Sequence, residues 1–163
     1  MRGSESASTR GRRVSNLERM TIKRMDHVGI VVEDLAAATA FFVDLGLSLH
    51  GTAVVEGGWA DRVVGLQGLR AEIAMLETPD GHARIELSQF HAPLAVGDRN
   101  VPPNTLGIRH VAFIVDDIDA VVGRLRARGT ELVNEVEQYE DSYRLCYVRG
   151  PEGILVELAQ EVG

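Results

Sequence analysis

The chain is poor in cysteine, in aromatic residues and in long apolar runs, and each shortage excludes something. There is one cysteine, Cys146, in 163 residues. It has no partner for an internal disulfide, which points to a reducing compartment, expected to be the cytoplasm. Its setting, Leu145-Cys146-Tyr147-Val148, reads as a strand, so a packed thiol is expected there rather than a nucleophile. No stretch approaches the ~18 apolar residues of a membrane span, and no apolar segment suits a secretory signal. Aromatics are 5% of the chain, too few to favour a cleft that grips its ligand by stacking. A Gly-rich phosphate loop is also missing.

Positive charge is scarce outside the first two dozen residues. Residues 1–24 hold seven basic and two acidic side chains, whereas the whole chain has a formal net charge of −7. The remainder therefore carries −12, which argues against nucleic acid as the main partner. The opening MRGSESASTRGRRVSNLERM is rich in Ser, Gly and Arg and has no sustained apolar face. It is expected to be a disordered basic leader over residues 1–24, with a transit peptide as the alternative and Met20 or Met25 as possible starts.

What is present is a repeat. Setting His27–Leu49 against His110–Leu132 gives a constant offset of 83 with seven identities in 23 positions. Among them are His27/His110, Val32/Val115, Asp34/Asp117 and Gly46/Gly129. The halves also close alike, PDGHARIEL from Pro79 and PEGILVEL from Pro151, with Glu86 matching Glu157. One residue is missing from the second turn. The period is too long for a solenoid and fits a duplicated module.

Each half begins with an apolar strand, Val28–Val32 or Val111–Val115. An aspartate, Asp34 or Asp117, then caps a helix by accepting orphan backbone N–H groups. Leu35, Ala38, Phe42 and Leu45 share one helix face, as do Ile118, Val121, Val122 and Leu125. Gly46 and Gly129 mark the helix ends. Further strands are expected over 48–55, 72–76 and 83–90, and over 131–136, 143–149 and 154–159. Residues 91–107, with three prolines, read as the linker. The segment 59–68 is left as an irregular insert.

Strand alternation sorts the side chains by face. Val28, Ile30 and Val32 should pack beneath the first helix, leaving His27 on the opposite, inner face beside small Gly29. Val111, Phe113 and Val115 likewise leave His110 beside Ala112. In the closing strands Glu86 and Glu157 sit between large aliphatics, where an unpaired carboxylate is costly. Singly, such a histidine is an ordinary hydrogen-bonded residue and such a glutamate an ordinary solvent-facing one. Their recurrence at matching places argues for His27, Glu86, His110 and Glu157 as ligands of a divalent metal, for which Zn, Ni, Co, Mn and Fe all suit. His50, His82 and His91 have no such twins.

The segments MDHVGIVVEDLAAATAFF, IRHVAFIVDDIDAVVGRLRARG and GPEGILVEL resemble the vicinal oxygen chelate superfamily, the group of glyoxalase I, methylmalonyl-CoA epimerase, extradiol dioxygenases and bleomycin-resistance proteins. The resemblance covers residues 25–160. It implies an α+β fold of two tandem βαβββ modules, 25–92 and 107–160, forming a cupped mixed sheet. It also implies that His27, Glu86, His110 and Glu157 hold the metal, which would stabilise an enediolate or enolate as a Lewis acid. Glu157, then Glu86, would move the proton beside the carbonyl. The four-ligand set looks more like the lyases and isomerases than the dioxygenases, which use two His and one Glu. The alternatives are a non-catalytic drug- or metabolite-binding protein and an extradiol-type dioxygenase. The expected partners are a small-molecule substrate and a second copy in a homodimer, with no membrane and no nucleic acid. Arg84, Arg144 and Trp59 are the candidates for substrate binding.

Overall fold

The computed structural model describes residues 22–163, so the expected leader lies almost wholly outside the described residues. The first half runs β1 (Val28–Val31), α1 (Leu35–Leu45), β2 (Ser48–Glu56), α2 (Gly58–Val64), β3 (Arg70–Glu77) and β4 (Arg84–Ala92). Its strands lie in the order β1-β4-β3-β2, with β1 parallel to β4 and the others antiparallel. The second half runs β5 (His110–Ile114), α3 (Ile118–Ala127), β6 (Glu131–Leu132), β7 (Glu137–Tyr139), β8 (Tyr143–Arg149) and β9 (Leu155–Glu161). Its order is β5-β9-β8-β6, with β7 also on β8 and β5 parallel to β9.

This topology positions the site. The first and last strands of each half become neighbours, so the chain's widely separated His and Glu positions are drawn together. Gly29 pairs with Glu86 and Ala112 with Glu157. The small residue beside each glutamate leaves open space on the inner face.

Both long helices start as their sequences dictate. The Asp34 and Asp117 carboxylates accept from the amides of Ala37 and Ala120, at 2.9 Å in each case. Asp117→Ala should therefore lower stability by about 1 kcal/mol, read as a fall in the urea midpoint at unchanged slope. A wild-type midpoint would remove the cap from the account of α3. At the end of α1, Gly46 takes φ 113°, a left-handed conformation that favours glycine, and its amide reaches the Phe42 and Val43 carbonyls.

The helices bury the expected residues. Ile118, Val121, Val122 and Leu125 of α3 are all buried, as are Ala38, Phe41 and Phe42 of α1. One apolar cluster spans both halves, joining Val32, Phe42 and Leu87 to Ile118, Val122 and Leu158. Phe42 meets Phe113 edge to face, with ring centroids 6.5 Å apart. A Cβ at Gly150 would run into the Phe41 ring, so glycine is what lets the second half approach α1.

A polar clasp adds to this core. The Glu152 carboxylate accepts from the backbone amides of Glu33, at 2.6 and 2.8 Å, and Asp34, at 2.7 Å. Arg128 pairs with Asp44 across the halves, and Arg99 of the linker pairs with Glu33.

Three expectations change. The insert at 59–68 forms α2, bounded by Gly57 and by Gly65 in the left-handed region. Asp61 ties it down by accepting from Gly68 and Leu69. The strand expected over 131–136 divides into β6 and β7, both laid on β8. β4 runs on to Ala92, into the expected linker. Among the described residues no helix is long and apolar enough to cross a membrane.

Candidate metal and substrate site

Each half presents one histidine–glutamate pair on its inner face. His110 Nε2 lies 3.2 Å from Glu157 Oε2, and His27 Nε2 lies 3.9 Å from Glu86 Oε2. The imidazoles are the more open members, 37% and 39% exposed, against 26% and 22% for the carboxylates. A ligand therefore meets nitrogen first, with oxygen behind it.

The outer nitrogen of each ring is also engaged. His27 Nδ1 lies 3.1 Å from Asp26 Oδ2, and His110 Nδ1 lies 3.4 Å from the Tyr147 hydroxyl. The Tyr147 and His110 rings are tilted against each other at 5.1 Å. The hydrogen bond from His27 holds the Asp26 carboxyl below the usual carboxylate range, with Arg24 and Arg84 assisting. Burial pushes the Tyr147 phenol up, and the charge of Glu157 adds to the rise. Ser88, 8% exposed, donates to Glu86 Oε1 at 3.2 Å.

β1 and β5 meet along a seam with two cavities. One, of about 330 Å³, is lined by Gly29, Ile30, Arg109 and His110 among others. The other, of about 240 Å³, is lined by Asp26, His27, Arg84 and Ala112 among others. Two imidazole nitrogens and two carboxylates are a donor set that fits a divalent first-row metal. Among the described residues, however, no three His, Cys, Asp or Glu side chains gather as one metal-holding cluster. The four expected ligands are brought together two by two.

The substrate candidates fall in different places. Arg84 is on the inner face beside the His27 cavity, paired with Glu77 at 3.2 Å, which also lies 3.6 Å from His50. Arg144 shares a strand face with buried Cys146 and Val148 and grips Asp119 of α3 through two bonds of 2.7 and 2.9 Å. That pairing raises the pKa of Arg144 and lowers that of Asp119. Arg144 thus serves the helix side of the sheet and not the inner face. Trp59 stands exposed on α2. Cys146 is buried, and burial pushes its thiol up, as expected for a packed residue.

Sequence reasoning missed Asp26, Ser88 and Tyr147. Tyr147 was within reach, because counting back from the Pro151-Glu152-Gly153 turn sets Arg149 opposite Leu155 and Tyr147 opposite Glu157. The repeat concealed it, since the residue opposite Glu86 is Met75.

Comparison with known proteins agrees with this architecture. The chain is 30% identical over 141 residues to the uncharacterized protein YwbC of Bacillus subtilis (strain 168), covering 85% of this chain and 98% of that one. The crystal structure of a glyoxalase family protein from Bacillus cereus superposes with a TM-score of 0.86 at 56% identity, covering 89% of this chain and 98% of the other. The glyoxalase I of Leishmania major has the same fold at 19% identity, with a TM-score of 0.61 and coverage of 86% and 88%. Residues 26–147 match a family description directly, and with it the chain belongs to the Glyoxalase/Bleomycin resistance protein/Dioxygenase superfamily.

Proposed function

We propose that the chain is a metal-dependent lyase or isomerase of the glyoxalase I or methylmalonyl-CoA epimerase type, acting next to a carbonyl of a small molecule and working as a homodimer. The observation that carries this reading is the twin His–Glu pair, His27/Glu86 and His110/Glu157, set on the inner face of both halves. When bound, a divalent metal supplies Lewis acidity to the substrate carbonyl oxygen. The chain's own residues do the rest. His27 and His110 offer nitrogen donors, and the covered carboxylates of Glu86 and Glu157 neutralise positive charge. Glu157 takes and returns the proton beside the carbonyl, with Glu86 as its counterpart. Arg84, on the same face, balances an anionic substrate group.

The first measurement is metal content by mass spectrometry on protein purified without chelators, beside the His27→Ala/Glu157→Ala double variant. About one transition metal per chain is expected, lost in the variant. Such a result directs assays to 2-oxoaldehyde adducts and acyl-CoA epimers. No metal in either protein, even after reconstitution with Ni, Co, Mn, Fe and Zn salts, would overturn the reading. It would favour a non-catalytic binding protein of the bleomycin-resistance type, the second reading that the separation of the donors into two pairs supports.

A further inference from the structure

The two histidines are held by partners that the repeat does not share. The residue matching Asp26 at the repeat offset is Arg109, and the residue matching Tyr147 in strand register is Met75. Duplication alone therefore accounts for neither contact. Each half has acquired its own group at the same ring atom, Nδ1.

The chemistry of both partners leads to one outcome. Asp26 is a carboxylate, an acceptor only, so His27 must donate its Nδ1 proton to it. Tyr147 has a single hydroxyl proton and faces Glu157 across the β8–β9 ladder. A charged carboxylate is the stronger acceptor for that proton. The phenol oxygen is then left to accept from His110 Nδ1–H. In both rings the proton sits on Nδ1 and the Nε2 lone pair is bare, directed at the side where Glu86 and Glu157 lie. A neutral imidazole so arranged is ready to ligate through Nε2, and an outer partner that fixes ring and tautomer is the ordinary support for such a ligand.

We propose that Asp26 and Tyr147 are positioning residues that fix the tautomer and ring orientation of His27 and His110, so that both present a bare Nε2 beside their glutamates. The metal side of this inference rests on the function proposed above; the tautomers do not. The full chain, metal-free and near pH 8, would be followed by ¹⁵N–¹H correlation of the histidine rings in wild type, Tyr147→Phe, Asp26→Ala and the exposed control Tyr139→Phe. Zn²⁺ and Ni²⁺ affinities of the same proteins would be measured by calorimetry. The expected wild-type pattern is Nδ1–H for both rings. Tyr147→Phe should disturb His110 alone, Asp26→Ala should disturb His27 alone, and each should weaken metal binding by roughly 10–100-fold. Tyr139→Phe should match wild type in both readouts. An Nε2–H tautomer in the wild type, or ring signals unmoved in Tyr147→Phe and Asp26→Ala, would overturn the proposal. If wild type binds neither metal, the proposed function fails, and the ring spectra alone still decide the positioning claim.

Discussion

Glu157→Gln is expected to cut turnover of an enolisable substrate by about 10²–10⁴-fold, the range a positioned general base supplies. The substitution keeps the side chain's length and an oxygen that can still face the metal, but removes the atom that accepts a proton. Glu157 belongs to the tighter of the two pairs, at 3.2 Å from its imidazole against 3.9 Å for Glu86. Its Ser88 counterpart is Ala159, so the Ser88 bond that occupies Oε1 of Glu86 has no equivalent there. The measurement is kcat beside metal content for Glu157→Gln and Glu86→Gln. A large fall in kcat with the metal retained marks the base. If Glu86→Gln loses more turnover than Glu157→Gln while both keep their metal, the role passes to Glu86. Equal activity in both variants and wild type would remove proton transfer by either carboxylate from the mechanism.

The largest stability effect is expected for Phe42→Ala, at about 3–5 kcal/mol. Phe42 is 0% exposed and lies in the one cluster that contains residues of both halves. The loss combines transfer of the ring with the cavity left between α1 and Phe113 of β5. Since a whole domain is stable by only about 5–15 kcal/mol, this is a large share. Urea unfolding followed by far-ultraviolet circular dichroism should show a much lower midpoint but still one transition, because the halves unfold as a unit when their core is common. Two separated transitions in the wild type would mean that each half stands on its own core.

Much of this was readable from the sequence because independent local signals coincided. An aspartate, an amphipathic run and a glycine recur in both halves, and each does in the structure what its chemistry demands. Ile118, Val121, Val122 and Leu125 were placed by helical spacing and are buried together. α2 gave no such signal. It buries only Ala60 and leaves Trp59, Val63 and Val64 exposed, so no apolar period betrays the helix. The His and Glu positions were legible through duplication, and their supporting groups were hidden by it, because Asp26 and Tyr147 are where the copies differ. Arg144 was chosen for its charge, yet strand alternation already set it on the same face as Cys146 and Val148, toward the helix.

The closing turns show how far the copies have diverged in duty. In Pro79-Asp80-Gly81 the carboxylate folds onto its own loop, taking the Thr78 hydroxyl at 2.6 Å and the His82 amide at 3.1 Å. In Pro151-Glu152-Gly153 a side chain one methylene longer, on a backbone at φ 58°, reaches instead to the amides ahead of α1. One turn looks after itself and the other after its sibling. The symmetry that a duplication creates has thereby become a one-way dependence. The second half could not be replaced by another copy of the first without leaving the entrance to α1 unattended.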